Sequence, residues 1–121
     1  MAGKRIMVID DDALIRLQVC DAIRAMHPDV ELMEAADGEL ALARLDTFAA
    51  DLVLLDLFMP NLSGVETLSF IRLRPNPPKV VIMSSLDSES MKADLLGQGA
   101  AGFIGKPFHP LELAETINRN L

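Results

Sequence analysis

Runs of consecutive hydrophobic residues alternate along this chain with segments whose hydrophobic residues recur at helical spacing. Three of the runs are unbroken and aliphatic, over residues 6–9, 52–55 and 80–83. Unbroken runs of this length are typical of strands buried on both faces, as in a parallel sheet covered by helices. Two weaker strands are predicted over residues 30–34 and 102–105.

Five helical segments follow these strands in turn. The first carries apolar residues at helical spacing from Ile15 to Met26 and ends at His27-Pro28, because proline cannot continue a helix. The second follows the turn at Asp37-Gly38. The other three are predicted over residues 63–73, 88–97 and 110–120, the last with Pro110 in its first turn.

A strand and a helix repeated five times predict an α/β fold with one parallel sheet, right-handed crossovers and helices on both faces. The length of 121 residues fits one compact domain, and we expect residues 1–121 to form it. In such sheets ligands bind at the carboxyl ends of the strands, near the point where the strand order reverses. The residues that end each hydrophobic run are therefore the candidates for function.

Those residues are polar. The first run ends in Asp10-Asp11-Asp12, the third strand in Asp56 and the fourth in Ser84-Ser85, and the fifth strand is followed by Lys106-Pro107. If the sheet is parallel, carboxylates, a hydroxyl and an ammonium meet at one edge. Clustered carboxylates repel one another, so a cation is needed to stabilise them.

The chemistry of these side chains points to phosphoryl transfer. Carboxylates without a neighbouring His or Cys favour Mg²⁺, with Mn²⁺ as an alternative. Lys106 would add positive charge for phosphoryl oxygens, and Ser84 a hydroxyl donor. Asp56 would be the nucleophile that forms an acyl phosphate.

Composition narrows the class of protein. The formal net charge is −7, which argues against a nucleic-acid surface and against binding to anionic lipid, and suits a metal cation or a basic partner. The single cysteine, Cys20, cannot form a disulfide within the chain. The apolar run near the start is too short for a signal peptide or membrane span, so we expect a cytoplasmic protein.

With these residues at the strand ends, the sequence resembles the response-regulator receiver family over essentially its whole length. Each matching stretch alone is a weak signal, but four in order at strand ends are specific. They are residues 6–12 (IMVIDDD), 51–60 (DLVLLDLFMP), 80–85 (VVIMSS) and 99–108 (GAAGFIGKPF).

The resemblance implies a flavodoxin-like fold with strand order 2-1-3-4-5, an order for which a chemotaxis receiver is an example. It implies that Asp56 is the phosphoacceptor and, with Asp11 and the backbone carbonyl of Phe58, a direct metal ligand. Asp10 would act on the metal through water, while Asp12 matches a position that is not usually a ligand.

The resemblance also implies which residues change position on phosphorylation. Ser84 matches the switch hydroxyl and Phe103 the switch aromatic. Lys106 matches the family's lysine, and the Lys106–Pro107 bond is expected to be cis. The residues two past Asp56 and two past Ser84 are Phe58 and Leu86, where polar side chains are common in the family.

Further departures are Ser85, where alanine is usual, and the absence of a hydroxyl on Phe103, which is tyrosine in many members. None of these changes removes a group that the chemistry needs. They bear instead on kinetics and on the choice of partner.

Simpler structural interpretations stand beside these. Three consecutive aspartates can form a solvated turn, Asp56 can cap a helix, and Ser84 with Ser85 can cap the fourth helix. Lys106 can be a surface lysine and Phe103 a permanent part of the core.

The leading functional hypothesis is a signalling switch, not an enzyme. A histidine kinase or a histidine phosphotransfer protein would phosphorylate it, and it would signal to a downstream protein or output domain through the face of the fourth helix, fifth strand and fifth helix. The alternatives are a phosphorylation-independent docking module and a small Mg²⁺-dependent phosphohydrolase. The sequence is compatible with a stand-alone regulator, a relay intermediate or a piece of a longer protein, and with a homodimer.

Overall fold

The computed structural model describes residues 4–85 and 88–121 and shows five strands alternating with five helices. The strands are β1 (Arg5–Ile9), β2 (Glu31–Ala35), β3 (Leu52–Asp56), β4 (Lys79–Ser84) and β5 (Gly102–Gly105). The helices are α1 (Ala13–Met26), α2 (Gly38–Leu45), α3 (Gly64–Arg72), α4 (Glu89–Gly97) and α5 (Pro110–Asn120). Leu86, singled out in the sequence, lies outside the described residues.

The strands form one parallel sheet in the order β2-β1-β3-β4-β5, so the predicted fold class and strand order are confirmed. The strand order reverses between β1 and β3. In the register, Ile9 lies beside Leu55 and Ser84 beside Gly105, which brings the carboxyl ends of β1, β3, β4 and β5 to one edge.

Successive residues of the strands pack against two separate sets of helices, because side chains alternate between the faces of a sheet. On one face Ile9, Leu55 and Ile82 pack with residues of α2, α3 and α4. On the other face Val8, Leu54 and Met83 pack with α1 and α5. Both faces are buried, which explains why the strand sequences are unbroken hydrophobic runs.

Polar side chains fix where several helices begin. Asp12 caps α1 and accepts hydrogen bonds from the backbone N–H groups of Leu14 and Ile15. Ser63 and Glu66 form a capping box at α3. Ser88 caps α4, so the interpretation of Ser84 and Ser85 as caps of that helix is wrong.

No helix among the described residues is long and apolar enough to cross a membrane. Cys20 is fully buried in α1, where burial is the main cause that raises the pKa of its thiol to about 11.

Candidate functional site

The carboxyl edge of the sheet brings together the acidic residues that the sequence predicts. Asp10 follows β1 directly, Asp11 is next, and Asp56 is the last residue of β3. One carboxylate oxygen from each of the three lies within 4.8 Å of the others. Asp10 and Asp56 are buried, whereas Asp11 is exposed. The cluster is therefore open to solvent on the side of Asp11.

Lys106 is the cation of the site. Its Nζ atom lies 2.6 Å from Oδ2 of Asp10 and 3.0 Å from Oδ1 of Asp56. The backbone N–H of Lys106 donates to the carbonyl of Ser84 at 2.9 Å, which ties the end of β5 to the end of β4. The Lys106–Pro107 bond is cis, as predicted. Lys106 is therefore not a free surface lysine.

The ionisation of the site follows from burial and from these contacts. Burial raises the pKa of Asp56 to about 6; the hydrogen bond from Lys106 acts in the opposite direction, and the charge of Asp10 raises the pKa further. For Lys106, burial acts to lower the pKa, but the hydrogen bonds to Asp10 and Asp56 outweigh it and the pKa is raised. Lys106 is therefore protonated at neutral pH.

The arrangement of oxygen atoms fits a divalent metal ion. Apart from its ion pair with Lys106, the buried Oδ2 atom of Asp10 has no hydrogen-bond partner within the described chain. One ammonium cannot neutralise three carboxylates, so the cluster retains negative charge that a cation would stabilise. A donor set made of oxygen alone is the set that Mg²⁺ and Mn²⁺ prefer.

The loop after Asp56 is held close to the sheet by a glycine. A Cβ atom placed on Gly64 would lie 2.4 Å from the carbonyl oxygen of Asp56 and 2.7 Å from the Cα atom of Leu57. The backbone N–H of Gly64 donates to the carbonyl of Leu57 at 3.0 Å. Any larger residue would displace the segment that carries Asp56 and Phe58.

The predicted switch residues Ser84 and Phe103 share a cleft with Lys106. Ser84, the last residue of β4, is largely buried next to the site. Phe103 is half-buried on β5 and packs against the hydrophobic face that contacts α4. Ser84 and Phe103 line a common cleft with Met91 and Leu95 of α4. The Phe58 side chain is 57 % exposed at the mouth of the site.

The residues that cap α1 and α3 test two structural interpretations of the aspartates. Asp56 does not cap α3, because Ser63 does. Of the three consecutive aspartates, Asp12 is the structural one: it caps α1, while Asp10 and Asp11 belong to the acidic cluster.

One contact of the site was not predicted from the sequence. Nη1 of Arg16 lies 2.6 Å from the carbonyl oxygen of Asp10, and its Nε atom lies 3.2 Å from Oε1 of Glu34. Arg16 lies one turn into α1, four residues after the Asp12 cap, but its residue type and spacing do not indicate these partners, which depend on how α1 lies over β1 and β2.

Comparison with known proteins places these features in a family. The family model described as the response regulator receiver domain matches residues 6–118. The chemotaxis protein CheY of Thermotoga maritima is 30 % identical over 118 residues, which is 97 % of each chain. The nitrate/nitrite response regulator NarL of Escherichia coli is 32 % identical over 115 residues, and the match covers 94 % of this chain and 53 % of NarL.

Solved structures show the same fold. CheY4 of Vibrio cholerae, a chemotaxis protein, matches with a TM-score of 0.92 and 28 % identity, covering 99 % of this chain and 100 % of that one. The receiver domain of NtrX from Brucella abortus matches with a TM-score of 0.88 and 30 % identity, covering 96 % and 97 % of the two chains. The chain therefore belongs to the family of response regulator receiver domains.

Proposed function

We propose that Asp56 accepts a phosphoryl group from a phosphohistidine, with Mg²⁺ bound at the acidic cluster, and that the phosphorylated domain signals through a change of conformation. The observation that carries the proposal is the contact between the Lys106 ammonium and Asp56 at the end of β3, beside two further carboxylates. As a receiver domain of two-component response regulators, the chain is a signalling switch.

The residues of the chain supply a nucleophile and positive charge. Because the pKa of Asp56 is about 6, its carboxylate is mostly ionised at pH 7 and can attack phosphorus. The new bond joins Asp56 to phosphorus, the phosphorus–nitrogen bond breaks, and its electron pair stays on the imidazole of the donor. Lys106 would hold one phosphoryl oxygen, and Ser84 would donate its hydroxyl to another.

The metal would be held by Asp11, Asp56 and the backbone carbonyl of Phe58, with Asp10 acting through water. When bound, the ion neutralises negative charge on the phosphoryl oxygens and on the carboxylates. Mg²⁺ is the ion we propose, and Mn²⁺ shares its preference for oxygen ligands.

Receiver domains of this family interact with histidine kinases and with downstream output domains. The response of this chain would lie on α4, β5 and α5, because Ser84 and Phe103 line one cleft with Lys106 and another with Met91 and Leu95 of α4. The donor would be a histidine kinase or a histidine phosphotransfer protein in the cytoplasm. The proposed role is that of a switch without turnover of small phosphate esters.

Phosphorylation with acetyl phosphate and Mg²⁺, followed by intact-mass measurement, tests the acceptor. Wild-type protein should gain one phosphoryl group and Asp56→Asn none. Asp21→Asn, which changes an exposed carboxylate on α1, is the matched control and should be labelled like the wild type. Equal labelling of wild type and Asp56→Asn would refute the assignment.

A further inference from the structure

We infer that Arg16 is a positioning residue for the metal site: it fixes the peptide unit between Asp10 and Asp11, and so the direction of the Asp11 carboxylate. The inference rests on the proposed metal site and adds a residue of α1 to it. Arg16 itself points its guanidinium at a backbone carbonyl and would not touch the ion.

The guanidinium of Arg16 joins the residue that follows β1 to strand β2. Its Nη1 atom contacts the carbonyl oxygen of Asp10 at 2.6 Å, and its Nε atom contacts Glu34 of β2 at 3.2 Å. The Arg16 side chain is only 17 % exposed. Glu34 therefore holds the guanidinium in the plane from which it donates to Asp10, and a planar fork of this kind gives a more defined geometry than a single ammonium.

With Arg16 in place, every polar group of Asp10 has a partner. Its N–H donates to the carbonyl of Ala35 at 3.1 Å, and its Oδ1 atom accepts from the N–H of Asp12 at 2.9 Å. Its Oδ2 atom pairs with Lys106, and its carbonyl accepts from Arg16. The carbonyl group of Asp10 is bonded to the amide nitrogen of Asp11.

Asp11 depends on this support. Its exposed side chain makes no hydrogen bond or ion pair with any residue that the structure describes, so the direction of its Cα–Cβ bond, set by the backbone, decides which positions its carboxylate can reach. Because a peptide unit is planar, fixing the carbonyl oxygen of Asp10 also fixes the amide of Asp11. Loss of the Arg16 contact would leave the Asp11 carboxylate free to turn away from Asp10 and Asp56.

Positioning and simple charge predict opposite effects on metal binding. Removal of a cation near an acidic cluster makes the cluster more negative, which by Coulomb attraction alone would strengthen the binding of Mg²⁺. If Arg16 positions the carboxylates, its removal should weaken binding instead. Partners of this kind, one step removed from a metal, change metal affinity by about 10- to 100-fold when they are lost.

Calorimetric titration with Mg²⁺ alone, at fixed ionic strength, tests the inference on folded protein. Arg16→Gln should raise the Kd for Mg²⁺ about tenfold. Arg16→Lys keeps the positive charge but loses the planar guanidinium with its several donors, and should raise the Kd for Mg²⁺ by a smaller factor. The matched control is Arg24→Gln, which removes an exposed arginine from the same helix and should leave the Kd unchanged or slightly lowered.

The outcomes separate this inference from the proposed function. Unchanged or tighter binding by Arg16→Gln, or equal weakening by Arg24→Gln, would overturn the role of Arg16 while leaving the metal site intact. Absence of Mg²⁺ binding by the wild type would overturn the metal site itself, and the role of Arg16 with it. If circular dichroism shows that Arg16→Gln is unfolded, Arg16→Lys decides the question, and wild-type affinity in that variant refutes the inference.

Discussion

The Lys106 ammonium lies 3.0 Å from the Asp56 carboxylate and also pairs with the fully buried Asp10. Lys106→Met would leave Asp10 without its cation. Removal of one partner of a buried ion pair costs about 3–5 kcal/mol, so the free energy of unfolding without metal should fall by that order. Urea unfolding measures it, and added Mg²⁺ should restore part of the loss.

Arg24→Met is the control for this change, because Arg24 and its ion-pair partner Asp21 are exposed on the surface of α1 and such pairs contribute little. A loss of stability in Lys106→Met no larger than in Arg24→Met would contradict the importance of the buried pair.

The raised pKa of Asp56 predicts a pH-dependent stability of the metal-free protein. With a pKa of about 6 in the folded state and an ordinary value of 3.8 for an exposed aspartate, the folded chain binds more protons between these values, so stability falls as pH rises through this window. Asp56→Asn removes the cost of ionising this buried carboxyl and should be more stable than wild type at pH 7 by about 1–3 kcal/mol.

The difference between Asp56→Asn and wild type, measured by urea unfolding in chelator from pH 4 to pH 7, should shrink toward acid. A difference that does not change with pH would show that the carboxylate is not destabilised by burial.

Asp11 and Asp12 are neighbours with different predicted roles. Asp11→Asn should weaken Mg²⁺ binding at least tenfold, because a direct ligand loses its charge. Asp12→Asn should leave binding and stability almost unchanged, since asparagine also caps helices, whereas Asp12→Ala should cost about 1 kcal/mol of stability. Calorimetry and urea unfolding test the set, and Asp12→Asn as the most damaging change for Mg²⁺ would refute it.

Ser84 is predicted to couple phosphorylation to α4 and β5. The hydroxyl should move toward the phosphoryl oxygen and allow Phe103, which is half-buried, to turn further inward. Ser84→Ala should therefore still be phosphorylated but show smaller NMR shift changes in these elements. Ser85→Ala is the control, because Ser85 is exposed. Full shift changes in Ser84→Ala would refute the coupling.

Phe58 is predicted to prolong the phosphorylated state. Its exposed phenyl ring stands at the mouth of the site and cannot hold the water that must attack in line with the bond from Asp56 to phosphorus. Phe58→Asn should lose its phosphoryl group severalfold faster. Phe70→Asn, at an exposed phenylalanine of α3, should not. Unchanged decay in Phe58→Asn would favour a role of Phe58 in docking a partner.

The parallel sheet was predictable because its inner strands are buried on both faces and therefore read as unbroken apolar runs. The hydrophobic pattern of β2 is less regular, and the strand begins at Glu31 instead of the predicted Val30. The N–H of Val30 closes a turn onto the carbonyl of His27, while that of Glu31 pairs with Lys4. Pairing across strands sets this boundary, and one strand's sequence does not contain it.

The acidic cluster was predictable for the same reason as the sheet, since parallel strands place their carboxyl ends together. The role of Asp12 as a cap could have been inferred from an aspartate just before an amphipathic helix. The contacts of Arg16 could not, because they depend on how α1 lies over β1 and β2. A backbone carbonyl is present at every position, so a residue's type does not reveal that its side chain donates to one.

The complete burial of Cys20 has a practical consequence. A thiol with a pKa of about 11 and no exposed surface carries almost no thiolate at neutral pH, so maleimide reagents should not modify the folded wild-type chain. A single cysteine introduced on α4 would then be the one thiol of this chain that such reagents modify. A spin label or fluorophore attached there could follow the switch in real time, in a protein that has no tryptophan or tyrosine to report it.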